Sequence, residues 1–256
     1  MPLRLLKFGG RAQAAAELPA LLAAAAAKSP LVVVHGGGDE VSAMQRKLGL
    51  EPQFVGGRRV TSEADLDVVR MLLSGTVNKR IVAQLISAGA RAVGVSGEDG
   101  GLLTGRVVDP TFGRVGREII AQPALLWDLL GAGWLPVVSP LARDRESASG
   151  AGLNVNGDDA ATAIAVALGA AELLFVADVA GVLEDGAPIQ RLDPLSIQHL
   201  ATRGVVQGGM LAKLEAAVAA LDAGGGCVRI GTLDAISDPT AGTTIVPAVP
   251  VLPDHP

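Results

Sequence analysis

The stretch Leu31-Val32-Val33-Val34-His35-Gly36-Gly37-Gly38 constrains this chain more than any other. Four apolar, mostly β-branched residues read as a strand buried on both faces, and the amphipathic run from Val41 to Leu48 reads as a helix. Between them the glycines make a tight turn. Glycine lets the backbone come close to a ligand, and amides at the start of a helix carry a partial positive charge, so such a turn suits an anion. A turn without ligand is the simpler reading for one glycine; three in succession point to a site. Leu3 to Phe8 repeats the pattern, with Lys7 just before Gly9 and Gly10, and the Ala-rich segment Ala12 to Lys28 predicts one long helix. Lys7 and the Gly36 loop then share the carboxyl edge of adjacent parallel strands, where open α/β sheets bind ligands. An amine and backbone amides meeting there could hold a phosphate; the bland alternative is a solvated or paired strand-end lysine.

Further along, Arg58 and Arg59 sit in a loop from Gln53 to Thr61, either to fork a carboxylate or simply to be solvated. Thr61 or Ser62, followed by Glu63 and Asp65, marks a helix start, and Asn78 to Ala88 reads as another helix. Ala92 to Val95 is a strand, Ser96 to Gly101 a polar turn, and Leu102 to Ile120 a hairpin turning near Asp109 to Gly113. Trp134 to Val138 is a strand, leading into an irregular polar segment from Arg143 to Gly152. Asn154, Asn156, Asp158 and Asp159 precede a helical run from Ala160 to Leu168, and one cap does not need four polar residues. The surplus suggests a carboxylate placed to orient lysines or a metal-nucleotide. A second βα stretch runs from Leu173 to Val176 into Asp178 and Gly181, then a short helix from Pro194 to Leu200. Gly208-Gly209-Met210-Leu211-Ala212-Lys213 opens a helix that continues to Leu221. Lys213 is expected in its first turn, where the macrodipole disfavours a cation unless an anion is bound. Cys227 to Ile230 and Gly242 to Val246 read as the last strands, and the tail from Pro247 as poorly ordered.

Two common nucleotide fingerprints are missing. Gly100 to Gly105 is followed by Arg106 and Val107 rather than Lys and Ser or Thr, and Gly36-Gly37-Gly38 continues into Asp39, Glu40 and Val41. A net charge of -5 argues against nucleic-acid binding through a basic face. The single cysteine, Cys227, excludes an intramolecular disulfide framework, and His35, His199 and His255 are too scattered for a metal site. With no apolar run long enough to span a membrane and no signal-peptide pattern, the expected compartment is the cytoplasm.

Eight motifs, in this order, resemble those of the amino acid kinase family. They are Lys7 to Gly10, His35 to Gly38, Gly57 to Thr61, Gly75 to Lys79, Ser96 to Gly100, Asn154 to Asp158, Asp178 to Val182 and Gly208 to Lys213. The resemblance is strongest to the branch that uses ATP to phosphorylate the γ-carboxylate of N-acetyl-L-glutamate in arginine biosynthesis. It implies a three-layer αβα sandwich around a mostly parallel sheet, with residues 1–169 as a lobe for the acyl amino acid and dimerisation, and residues 170–256 as a lobe for ATP. Position by position it implies that Lys7 and Lys213 stabilise the transferring phosphoryl group while Asp158 holds both lysines. Gly37, Gly38, Arg59 and Asn154 would bind N-acetylglutamate; Gly9, Gly10, Asp178, Gly181, Gly209 and Met210 would surround the nucleotide. ATP would bring Mg²⁺ held mainly by its own phosphates, with no metal site in the protein. Ala177 stands where the family commonly has Thr or Ser, Asp39 replaces a proline, and Glu98 replaces a lysine, the last two adding negative charge to a site meant for anions. Arginine-inhibited relatives carry an extra amino-terminal helix, whereas here the first strand begins by Leu3, so a homodimer without arginine feedback is expected. A kinase of carrier-linked α-aminoadipate in lysine biosynthesis and a non-catalytic sensor on the same fold are the alternatives.

Overall fold

The computed structural model describes residues 2–55 and 58–247. Gly57, which opens one motif, and the tail beyond residue 247 lie outside the described residues. The strands are β1 (Arg4–Phe8), β2 (Leu31–His35), the paired β3 (Phe54–Val55) and β4 (Arg58–Arg59), β5 (Ala92–Ser96), β6 (Leu103–Arg106), β7 (Arg117–Ala121), β8 (Leu135–Ser139), β9 (Leu141–Asp144), β10 (Gly152–Asn154), β11 (Glu172–Val176), the short β12 (Leu183–Glu184), β13 (Ala187–Pro188) and β14 (Arg191–Leu192), β15 (Cys227–Gly231) and β16 (Thr243–Ile245). The helices are α1 (Leu18–Lys28), α2 (Gly38–Lys47), α3 (Glu63–Arg70), α4 (Asn78–Ser87), α5 (Ala124–Gly131), α6 (Gly157–Ala167), α7 (Pro194–Thr202) and α8 (Gly208–Asp222).

Eight strands make the central sheet in the order β14-β16-β15-β11-β1-β2-β8-β5, and only the β15/β16 pair is antiparallel. Because side chains alternate along a strand, the central strands feed two cores. Leu5, Val34, Val138, Phe175 and Ile230 pack with residues of α6 and α8 such as Ile164 and Leu214. Leu6, Phe8, Val33, Val137 and Leu174 pack with Leu22 of α1 and Ile81 and Leu85 of α4 on the other face. This is the three-layer αβα arrangement. The expected hairpin forms as β6 and β7, but it belongs to a second sheet, β10-β9-β6-β7. The segment expected to be irregular, Arg143 to Gly152, therefore has ordered ends: β9 pairs with β6 and with β10.

Two helices depart from the sequence reading. Ala12 to Lys28 is not one helix: residues Gly10–Ala14 form a 3-10 turn and α1 begins at Leu18. Pro19 decides the boundary, since an interior proline loses a hydrogen bond and clashes with the preceding turn, whereas the first helical turn accepts it. Ser62 caps α3 in a capping box with Asp65, as the sequence suggests. However, α3 and α4 are one continuous rod joined by a π-helix over Met71–Val77. That wider turn presents Leu73 and Val77 to Gly37, where φ is +153° and an added Cβ would lie 2.7 Å from Leu73 Cδ2. Only glycine fits there. Among the described residues no helix is long and apolar enough to cross a membrane.

Candidate active site

Strand parity puts Lys7 on the face of β1 that α6 covers, alongside Leu5. Asn156 caps α6 by accepting the Asp158 amide at 2.8 Å, which sets Asp158 in the first helical turn. The Asp158 carboxylate meets Lys7 Nζ at 2.7 Å through one oxygen and Lys213 Nζ at 2.9 Å through the other. Lys7 is 9% exposed and Asp158 4%. Burial pulls the Lys7 ammonium below its ordinary pKa, more than the Asp158 charge lifts it. At Asp158 burial acts upward, but the two ammonium groups outweigh it and hold the carboxyl below the usual range. Lys213 is the sixth residue of α8 rather than a member of its first turn, because the helix begins at Gly208. The macrodipole effect fades beyond the first turn, so Asp158, and not the helix end, governs this ammonium.

The glycine loops close over this triad. The Gly36 amide donates to the Phe8 carbonyl at 2.8 Å, and a Cβ on Gly36 would lie 3.3 Å from the Gly9 Cα. Together they bound a cavity of about 360 Å³ into which Lys7, Lys213, Gly9, Gly10, Gly37, Gly38 and Asp178 all face, with Asp39 and Ala177 at its wall. Gly209 and Asp158 line an adjoining cavity of about 600 Å³, which Lys213 shares. A larger apolar cavity of about 630 Å³, between α6, α8 and β7, includes neither lysine and carries no comparable chemistry.

Other expected residues lie outside the smaller cavity. Arg59 reaches its rim by donating to the Gly38 carbonyl at 2.8 Å and to Ser42 Oγ at 2.7 Å. Its second nitrogen donates to Gln45, which donates to Asp65 at 2.5 Å, and Phe54 stacks 4.8 Å from the guanidinium. Asn154 donates to the buried Thr61 Oγ1 at 3.0 Å from the end of β10. Gly181 packs on Thr243, with φ at +147° and a notional Cβ 2.5 Å from Thr243 Oγ1, and Met210 is half-buried against the α6/α8 core. Glu98 does not load the anion cavity: Arg70 donates to both of its oxygens at 2.8–3.2 Å. Asp39 does face it.

Sequence reasoning missed a buried polar chain beneath the glycine loop. His35 and Asn78, both fully buried, are joined by Asn78 Nδ2 to His35 Nε2 at 3.2 Å. A histidine directly before three glycines, inside an otherwise apolar strand, was the available signal. Among the described residues no three His, Cys, Asp or Glu side chains are grouped to hold a metal ion. The donors that converge are ammonium and amide N–H groups, which suit the oxygens of a multiply charged phosphate.

Comparison with known proteins agrees with this chemistry. Residues 2–232 match the model of the amino acid kinase family. The chain is 45% identical over 214 residues to acetylglutamate kinase from Chloroflexus aurantiacus (strain ATCC 29366 / DSM 635 / J-10-fl), covering 82% of this chain and 84% of that protein. It is 42% identical over 252 residues to acetylglutamate kinase from Roseiflexus sp. (strain RS-1), covering 96% and 94%. Among solved structures, smu.665 from Streptococcus mutans UA159 superposes with a TM-score of 0.83 at 28% identity, covering 95% of this chain and 98% of that one.

Proposed function

This chain belongs to the amino acid kinase family, and from that premise we propose that it transfers the γ-phosphoryl group of ATP to the γ-carboxylate of N-acetyl-L-glutamate. The observation that carries the reading is the pair of lysines on one buried carboxylate, facing a glycine-lined cavity. A carboxylate oxygen of the substrate attacks the γ-phosphorus, the bond to the β-phosphate oxygen breaks, and N-acetylglutamyl 5-phosphate and ADP leave. The attacking carboxylate is already ionised at neutral pH, so no general base is required. What the protein must supply is alignment and neutralisation of the charge spread over the phosphoryl oxygens.

In this reading Lys7 and Lys213 meet that charge from opposite sides of the Asp158 carboxylate, which keeps two like charges together. The catalytic pair gains most when the charge is most dispersed, in the transition state. Gly9 and Gly10 let the phosphates approach, and Asp178, Gly181, Gly209 and Met210 surround the nucleotide in the lobe of residues 170–256. Residues 1–169 form the acyl amino acid lobe, with Gly37, Gly38, Arg59 and Asn154 on the substrate. The sheet offers a seam for such a division: β1 and β11 meet with Lys7 opposite Phe175, and the strands on either side of that pair come from the two lobes. ATP would bring Mg²⁺ held mainly by its own phosphates, and the ion would add neutralisation of phosphate charge to that supplied by Lys7 and Lys213. We assign the protein to the cytoplasm and to a homodimer without arginine feedback; light scattering with and without arginine tests the latter, and an arginine-inhibited hexamer overturns it.

The experiment is ATP-dependent acyl phosphate formation, trapped with hydroxylamine, on N-acetylglutamate, glutamate, aspartate and carrier-linked α-aminoadipate. Turnover of N-acetylglutamate is expected. Turnover of the carrier-linked substrate in its place, or of none, overturns the assignment.

A further inference from the structure

His35 has a defined tautomer. Its Nδ1 lies 2.8 Å from the Gly36 carbonyl, which can only accept, so Nδ1 carries the proton. Its Nε2 is then the acceptor for Asn78 Nδ2. The amide of Asn78 is oriented just as firmly: Nδ2 also donates to the Val137 carbonyl at 2.9 Å, while Oδ1 accepts from Lys79 Nζ at 3.1 Å. Lys79 in turn donates to the Gly94 carbonyl at 3.0 Å. Burial favours the neutral ring that this pattern needs, lowering the His35 pKa to about 4.

The chain of bonds ends on one peptide plane. The Gly36–Gly37 peptide is trans, so its N–H points opposite to its C=O. His35 shares its face of the sheet with Val33, toward α4, whereas Lys7 lies on the face toward α6. A carbonyl drawn to the imidazole therefore turns the Gly37 amide away from α4. Among the described residues that amide donates to no protein acceptor. We propose that His35 is a positioning residue that aims the Gly37 amide into the cavity shared by Lys7 and Lys213. The inference rests on reading that cavity as the phosphoryl-transfer site and names a residue that serves it without touching substrate.

Two substitutions separate this role from a structural one. In His35→Asn the side-chain nitrogen takes the place of Nδ1 and keeps the Gly36 bond while losing Asn78; in His35→Gln the side-chain oxygen takes the place of Nε2 and keeps accepting from Asn78 while the Gly36 bond is lost. With N-acetylglutamate and ATP, kcat is expected within about threefold of wild type for His35→Asn and lower by about tenfold or more for His35→Gln, with ATP KM little changed in both. Crystal structures are expected to show the Gly36–Gly37 peptide in place in the first and rotated in the second. Equal kcat in the two variants, a ranking that follows Tm instead, or an unmoved peptide in His35→Gln overturns the proposal. Wild-type protein supplies a check that needs no variant: imidazole ¹⁵N shifts must show Nδ1 protonated, and an Nε2-protonated His35 overturns it. If wild type makes no acyl phosphate, the substrate reading fails, and the tautomer and peptide orientation still decide this one.

Discussion

Lys7, Asp158 and Lys213 at the carboxyl edge of the sheet have a counterpart near its amino edge and on its other face, where Glu172 lies between Arg4 and Arg229. Each cluster is one carboxylate shared by two cations. In the arginine cluster the donors are consumed by the protein. Arg229, 3% exposed, gives Nε to Glu172 at 2.6 Å and its other nitrogens to the carbonyls of Asp238, Ala241 and Ala235, and Arg4 donates to the Ile236 carbonyl. It clamps the segment after β15 to the sheet. In the lysine cluster Asp158 is the acceptor that each ammonium has among the described residues, although each carries three N–H groups. The same ingredients thus give a closed clamp when the cation is a fork with fixed donors, and a cluster with donors to spare when it is a point charge.

The sharpest way to break the comparison is Arg229→Met. It leaves several carbonyls without their donor and Glu172 with Arg4 alone, and is expected to cost about 3–5 kcal/mol in urea unfolding, with kcat unchanged in folded protein. A catalytic loss at full stability would erase the distinction. Next, Lys7→Ala and Lys213→Ala are each expected to lower kcat about 100- to 1,000-fold with KM for ATP nearly unchanged. Wild-type turnover in either removes that lysine from the mechanism.

Acidification sharpens the comparison through His35, which is neutral and belongs to neither ion cluster. Its folded pKa of about 4 is below the unfolded 6.5, so the unfolded chain takes up the proton first. Stability is full above pH 6.5 and is expected to fall by about 3 kcal/mol as pH drops to 4, then level for this group. A flat unfolding free energy across that window in wild type, or an equal slope in His35→Asn, contradicts the assignment. The smallest effect is expected at Glu98→Gln: less than about 1 kcal/mol, since the Arg70 pair is part-exposed, and no change in kcat. A clear gain in ATP affinity there would mean that Glu98 does act on the anion cavity.

The strand-glycine-helix units were legible because β-branched runs and glycines act locally, and so were Lys7, Asp158 and Lys213 as residue types at element ends. Their meeting point was not. Lys213 was placed in the first turn although α8 already begins at Gly208, and the carboxylate that it meets, 55 residues away, could not be read locally. The Arg4/Glu172/Arg229 clamp was invisible for the same reason, since it joins residues 168 and 57 positions apart. The π-helix escaped notice because no propensity distinguishes it, and its Leu73 and Val77 meet Gly37 only in the folded chain. Strands β9 and β10 hid behind Arg143 and Asp144, polar residues that the second sheet accommodates at its own ladder.

The pairing of β1 with β11 also sets a schedule for the nascent chain. β1 occupies the middle of the central sheet, and its neighbour β2 follows at once, but Glu172, the register partner of Arg4, is 168 residues downstream. At ribosomal speeds that gap lasts on the order of 10–30 s. Throughout it the strand that carries Lys7 presents an unpaired edge, the kind of template on which foreign strands add. The strand that gathers the most chemistry thus closes one of its two edges only after most of the chain has been made.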